Sequence, residues 1–137
     1  MNILKPMTAA LIGASLLAAF TQNAYAQDVV KTDTGASYLN GGVGGEEQAE
    51  MRRRAAEFPI RMTFSTGKDG EYVANASVVI TDAHGKSVFE LSNAGPMLDV
   101  ALPNGSYKVN VSVEGVTESR AVTVSGRAGK DLQFHWK

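Results

Sequence analysis

No cysteine occurs anywhere in the 137 residues. Its absence excludes a disulfide framework, a thiolate metal site, a cysteine nucleophile and a lipid-modified leader, which needs cysteine at its cleavage point. Charge of one sign is also lacking, with 13 Lys/Arg against 14 Asp/Glu. A near-neutral chain offers no one-signed field to gather nucleic acid or acidic lipid. Histidine is scarce: His84 and His135 are the two in the chain, and their placement has neither helical nor close pair spacing for a metal. No metal or other cofactor is expected. The single charge run, Arg52-Arg53-Arg54, reads as the solvated face of a helix.

One apolar run is present, and it is short. Lys5 precedes a stretch of about 14 apolar residues, and Ala24-Tyr25-Ala26 follows with small residues where signal peptidase reads. Such a run is too short to cross roughly 30 Å of hydrocarbon. Residues 1–26 are therefore expected to be a signal peptide, leaving no membrane span after cleavage before Gln27. The expected location is the periplasm of a Gram-negative bacterium, or secretion from one.

Residues 27–45 are polar and then glycine-rich. They read as a flexible N-terminal segment and a Gly-rich loop, because glycines at 41, 42, 44 and 45 make a regular element entropically costly. Residues 46–58 read as one short helix. Glu46 and Glu47 lie at its positive end, Glu50 and Arg54 have pairing spacing, and Phe58-Pro59 stops it. From Ile60 onward, runs with period-2 alternation are cut by turns. Ile60, Met62 and Phe64 alternate with Arg61, Thr63 and Ser65; Leu98, Val100 and Leu102 alternate likewise; Val109, Val111 and Val113 are separated by Asn110 and Ser112. Pro103-Asn104-Gly105 is a place where the chain can reverse. Seven strands at about ten-residue spacing over residues 59–137 predict an all-β fold, a seven-stranded antiparallel β-sandwich.

Two stretches carry a resemblance. One is Ala76-Ser77-Val78-Val79-Ile80-Thr81-Asp82-Ala83-His84-Gly85-Lys86, where a strand ends in aspartate and Gly-Lys starts the return. The other runs from Leu98 to Gly115 and contains Leu102-Pro103-Asn104-Gly105-Ser106-Tyr107. Together they resemble the carboxypeptidase regulatory-like domain, a prealbumin-like sandwich, and the surface-protein repeats with a leucine-proline-x-glycine-x-tyrosine turn. The resemblance covers residues 60–136. It implies a non-catalytic accessory module of an exported protein. The domain is expected to stand without a peptidase or receptor beside it, and the whole chain resembles small exported proteobacterial proteins of uncharacterised role. The hydrolases that share this fold, which act on 5-hydroxyisourate, close with Tyr-Arg-Gly-Ser; this chain closes with Phe134-His135-Trp136-Lys137.

Other motifs lead to no chemistry. Asp33-Thr34-Gly35 spells the aspartic-protease triplet, but it sits in a polar tail, and that chemistry needs two carboxylates sharing one proton. The glycines before Glu46 resemble a phosphate cradle, yet no Lys-Ser or Lys-Thr follows, and two carboxylates would repel the anion. Asp69, Asp82 and Asp99 read as solvated acids without a calcium-loop pattern. The expectation is a non-enzymatic module that binds a protein or cell-envelope component. Its candidate contact loop is Tyr38, Asn40, Gly41, Gly42, Val43, Glu46 and Glu47. The alternatives are a tucked loop without function, a small periplasmic hydrolase or ligand-binding protein, and strand addition at an open sheet edge.

Overall fold

The structure, a computed structural model, describes residues 28–137. The expected signal peptide lies outside the described residues. Two sheets share one core. The first holds β1 (Val30–Lys31), β2 (Ser37–Gly41), β7 (Met97–Ala101), β3 (Ile60–Thr66) and β10 (Lys130–Trp136) in that order, with β4 (Glu71–Tyr72) beside the end of β3. The second holds β6 (Ser87–Ala94), β5 (Ala76–Asp82), β8 (Gly105–Val113) and β9 (Val116–Val124) in that order. One helix, α1 (Gly44–Arg53), and a 3-10 turn (Ala55–Glu57) precede β3.

Alternation builds the core directly. Ile60, Met62 and Phe64 of β3, Leu98 and Val100 of β7, and Phe134 and Trp136 of β10 point inward from the first sheet. Val78 and Ile80 of β5, Phe89 of β6, Val109 and Val111 of β8, and Val122 and Val124 of β9 meet them from the second. Phe64 touches both Phe134 and Trp136, with ring centroids 5.8 and 6.4 Å apart. Trp136 also donates its indole N–H to the Val116 carbonyl at 3.0 Å, fastening the last strand to the opposite sheet.

Four expectations are corrected. The strands number ten among the described residues, because β1, β2 and β4 join the seven foreseen. The sheets are not wholly antiparallel: β10 runs parallel to β3, with Leu132 opposite Met62 and Phe134 opposite Phe64. The chain reaches β10 from β9 in the other sheet, and the Lys130 N–H donates to Pro59 O at 2.8 Å, so both strands enter from the same end. Third, Pro103-Asn104 does not close a hairpin. It carries the chain from β7 in one sheet to β8 in the other. There the buried Leu102 anchors the entry, and the Tyr107 hydroxyl donates to Pro103 O at 2.6 Å. A Cβ on Gly105 would stand 3.3 Å from that hydroxyl, so the glycine makes room for the tyrosine.

Fourth, within residues 27–45, expected as a tail and a loop, there are two strands. β1 and β2 pair as a hairpin, and β2 pairs in register with β7, Leu39 opposite Asp99. The strand forms because β7 offers its edge and because Leu39 finds an apolar cover. Helix α1 lies over the outer face of this sheet, where Leu39, Met51 and Phe58 make a second, smaller core. The helix begins at Gly44, two residues earlier than expected, and Glu47 takes the Val43 N–H at 3.1 Å. Its ion pairs are Glu50 with Arg53, and Arg54 of the following turn with Glu57.

Candidate functional site

The candidate contact residues divide between an inner and an outer set. Tyr38 is half-buried and meets Phe89 edge-on, with centroids 5.2 Å apart, so it closes the side of the sandwich between β2 and β6. Asn40 turns its side-chain carbonyl to the Gly95 N–H at 2.8 Å. Gly41 and Gly42 are buried against β7. Gly42 holds φ at +97°, and a Cβ there would stand 2.7 Å from Met97 Cγ and 3.0 Å from Met97 N. The chain then turns outward. Val43 is 62% exposed, and Gly44, Gly45 and Glu46 are exposed beside it. The base of this corner is fixed by the Glu47 bond to Val43 N–H and by Gln48 Nε2 donating to Gly42 O at 3.1 Å.

Other residues singled out in the sequence lie elsewhere. Asp33-Thr34-Gly35 forms the β1–β2 turn, and the Thr34 hydroxyl donates to Val88 O at 2.5 Å on the outer edge of β6. Asp82 closes the β5–β6 turn, accepting from the N–H groups of His84 at 2.9 Å and Lys86 at 3.0 Å. Hydrogen bonding from the Lys86 and His84 amides holds its carboxyl below the ordinary value. His84 is exposed on that turn. Among the described residues no three metal-ligating side chains gather.

One pairing escaped the sequence. Ser65 Oγ and His135 Nδ1 are 3.0 Å apart, because parallel β3 and β10 place them opposite one another. His135 lines a cleft of about 440 Å³ together with Thr66, Glu114, Val116, Glu118 and Trp136 among others. No acid hydrogen-bonds the other imidazole nitrogen among the described residues. Spacing alone gave no hint of this pair, since it depends on strand direction.

The second missed feature lies beneath α1. Across the outer face of the first sheet runs a row from adjacent strands: Leu39 of β2, Asp99 of β7, Arg61 of β3 and Asp131 of β10. Asp99 was read as a solvated acid. It is 3% exposed, and its carboxyl accepts no hydrogen bond among the described residues. Burial pushes its pKa up to about 7; Arg61 pulls it down by less, and Asp131 pushes it up further. Arg61 spends its fork on Asp131, Nε to Oδ1 at 2.7 Å and Nη2 to Oδ2 at 3.0 Å. Its Nη1 donates to Ala55 O and Phe58 O, both at 3.3 Å, and so ties down the 3-10 turn. The bond from Arg61 holds the Asp131 carboxyl below its ordinary value. The one available signal was the apolar set Leu39, Met51 and Phe58, which needs a face to cover.

Fold and surface together define a two-sheet β domain with a helix laid over one outer face. No helix among the described residues is long and apolar enough to cross a membrane. No family model matches the chain, and no curated protein matches it. Among solved structures it is similar to one described as the crystal structure of S.CueP. That similarity is 14% in sequence identity with a TM-score of 0.42, covering 88% of this chain and 86% of that one.

Proposed function

We propose that the protein is an exported, non-catalytic β-sandwich module of the prealbumin-like, carboxypeptidase regulatory-like type, acting in the periplasm or outside the cell. It binds another protein of the envelope through the corner where β2 meets α1. The observation that carries this reading is Val43. A valine held 62% exposed on a fixed base is an apolar contact whose ordering cost is already met by the fold. Gly42 packed on Met97 and the two hydrogen bonds to residues 42 and 43 supply that base. Glu46 stands beside it, so the complementary partner surface is a small apolar socket with a basic rim. The leucine-proline-x-glycine-x-tyrosine turn supports the fold family, because its tyrosine and glycine have the physical roles described above.

Site-specific photocrosslinking in cells tests the reading. A crosslinker at position 46 is expected to capture one partner, and Val43→Asp is expected to abolish that capture. A crosslinker at Tyr72, which is 47% exposed on β4, serves as the control. Equal capture from 46 and 72, or capture that survives Val43→Asp, overturns it.

A ligand-binding or hydrolytic protein is the second reading, and the observation in its favour is His135, which lines the 440 Å³ cleft and lies within hydrogen-bond distance of Ser65 Oγ. An imidazole next to a hydroxyl is the start of a nucleophile–base pair.

A further inference from the structure

Asp99 is a carboxyl buried to 3% exposure with no hydrogen-bond donor among the described residues, in a sheet whose neighbouring strand holds an arginine directly opposite. That arginine is committed to the next strand instead. Three groups therefore share one row with a single cation between two acids. The groups facing Asp99 can be named element by element. β3 presents Arg61 and β10, beyond it, presents Asp131. β2 presents apolar Leu39, α1 presents Met51, and the chain after the 3-10 turn presents Phe58. Of the ionisable side chains of the covering segment, Glu50 pairs with Arg53 and Arg54 with Glu57; Asp28, next to the Val29 that packs on the same small core, also acts on Arg54.

We propose that this row is a proton-operated latch: protonated Asp99 leaves Arg61 bound to Asp131 and to the 3-10 turn, and ionised Asp99 draws Arg61 away, releasing the turn and loosening α1 from the sheet.

The geometry gives the latch two discrete positions. In the structure the guanidinium holds Asp131 and the carbonyls of Ala55 and Phe58 together. A charge on Asp99 would be a buried anion without a partner, which a protein interior does not tolerate. The nearest remedy is the fork of Arg61, one strand away. If it turns to Asp99, the bonds from Nη1 to the turn are given up. Asp131 is mostly exposed, with 73% of its side-chain surface accessible, so water replaces its partner at small cost. Without Arg61 the turn keeps its own short hydrogen bonds, Glu57 N–H to Arg54 O and Phe58 N–H to Ala55 O, and the exposed Arg54–Glu57 ion pair.

The direction follows from linkage. With the cover seated, Asp99 holds its proton up to about pH 7, against 3.8 for the ordinary group. A solvated Asp99 in the loosened form releases that proton. Loosening therefore grows as pH rises between those values, by up to about tenfold per unit, and levels off above the upper one.

Amide hydrogen exchange on the full chain from pH 5 to 8, corrected for intrinsic exchange, reads this at Glu57 and Phe58. Protection there is expected to fall by about ten- to hundredfold between pH 5 and 7 and then to flatten. The amides of Val109 and Val111 should keep theirs, which separates a local latch from global loosening. Asp99→Asn, neutral at every pH, is expected to give a flat profile at the turn. A flat wild-type profile, or an unchanged slope in Asp99→Asn, overturns the latch. If that variant does not fold, the wild-type carboxyl carbon of Asp99 and the Arg61 Nε–H resonance decide by NMR titration. Both should move together with a midpoint near 7. A carboxyl midpoint near 3.8, or an Arg61 signal that stays still, overturns it.

Discussion

Replacing Gly42 by alanine tests whether the glycine-rich stretch is a built corner or a slack connection. Gly42 takes φ +97°, where an L side chain is strained, and its new methyl would stand 2.7 Å from Met97 Cγ and 3.0 Å from Met97 N. The side-chain carbon can swing aside, but the amide nitrogen cannot, because Met97 pairs with Gly41 and Thr63 across its two neighbours. Backbone strain costs about 1–3 kcal/mol and overpacking about the same again. The expected loss is about 2–6 kcal/mol. With a urea slope of about 1–3 kcal/mol per molar, the midpoint falls by about 1 M or more. Should β2 and α1 come off before the sandwich melts, the slope itself falls. Gly45→Ala is the matched control: its added carbon meets nothing within 4 Å and its φ is not positive. Inside α1 it should gain about 0.5 kcal/mol. Gly42→Ala with both midpoint and slope unchanged in urea would refute the close-packed corner.

Phe64→Ala should cost about 3–5 kcal/mol, since the ring is fully buried between Phe134 and Trp136. The fluorescence of Trp136, the one tryptophan, reports it during denaturation, and a loss under about 1 kcal/mol would contradict the packing. Acid should weaken the Arg61–Asp131 tie. Hydrogen bonding from Arg61 lowers the Asp131 carboxyl below 3.8, so its contribution is present above that value and lost as pH falls through the lowered one. Because the pair is exposed on the aspartate side it is worth under about 1 kcal/mol, and Asp131→Asn should remove that much of the acid-side loss in urea titrations; an identical acid slope would count against it.

The strands from Ile60 onward were legible because one face of each looks into the core and the other does not. Period-2 alternation reports that condition directly at Ile60, Met62 and Phe64 and again at Val109 and Val111. Strand direction leaves no such trace. Whether the last strand lies parallel or antiparallel to β3 depends on the crossing between sheets at residues 125–129, and alternation is the same either way. Nor did it separate the turn at Pro103 from a hairpin, because the same residues reverse a chain within a sheet or pass it to the other sheet.

The two misread segments share a single cause. Glycines at 41, 42, 44 and 45 weigh locally against a strand from Tyr38 onward, and nothing near Asp99 in the sequence distinguishes it from a solvated acid. Both readings assume that the outer face of the first sheet is wet. Helix α1 removes that assumption for both at once, when Met51 and Phe58 settle on Leu39. The cover gives β2 an apolar residue to bury and deprives Asp99 of water in the same step. Burial of Leu39 and ionisation of Asp99 are therefore opposed demands on one contact. The position of Arg61 beside it, tied to the turn that anchors the helix, is where that opposition is resolved.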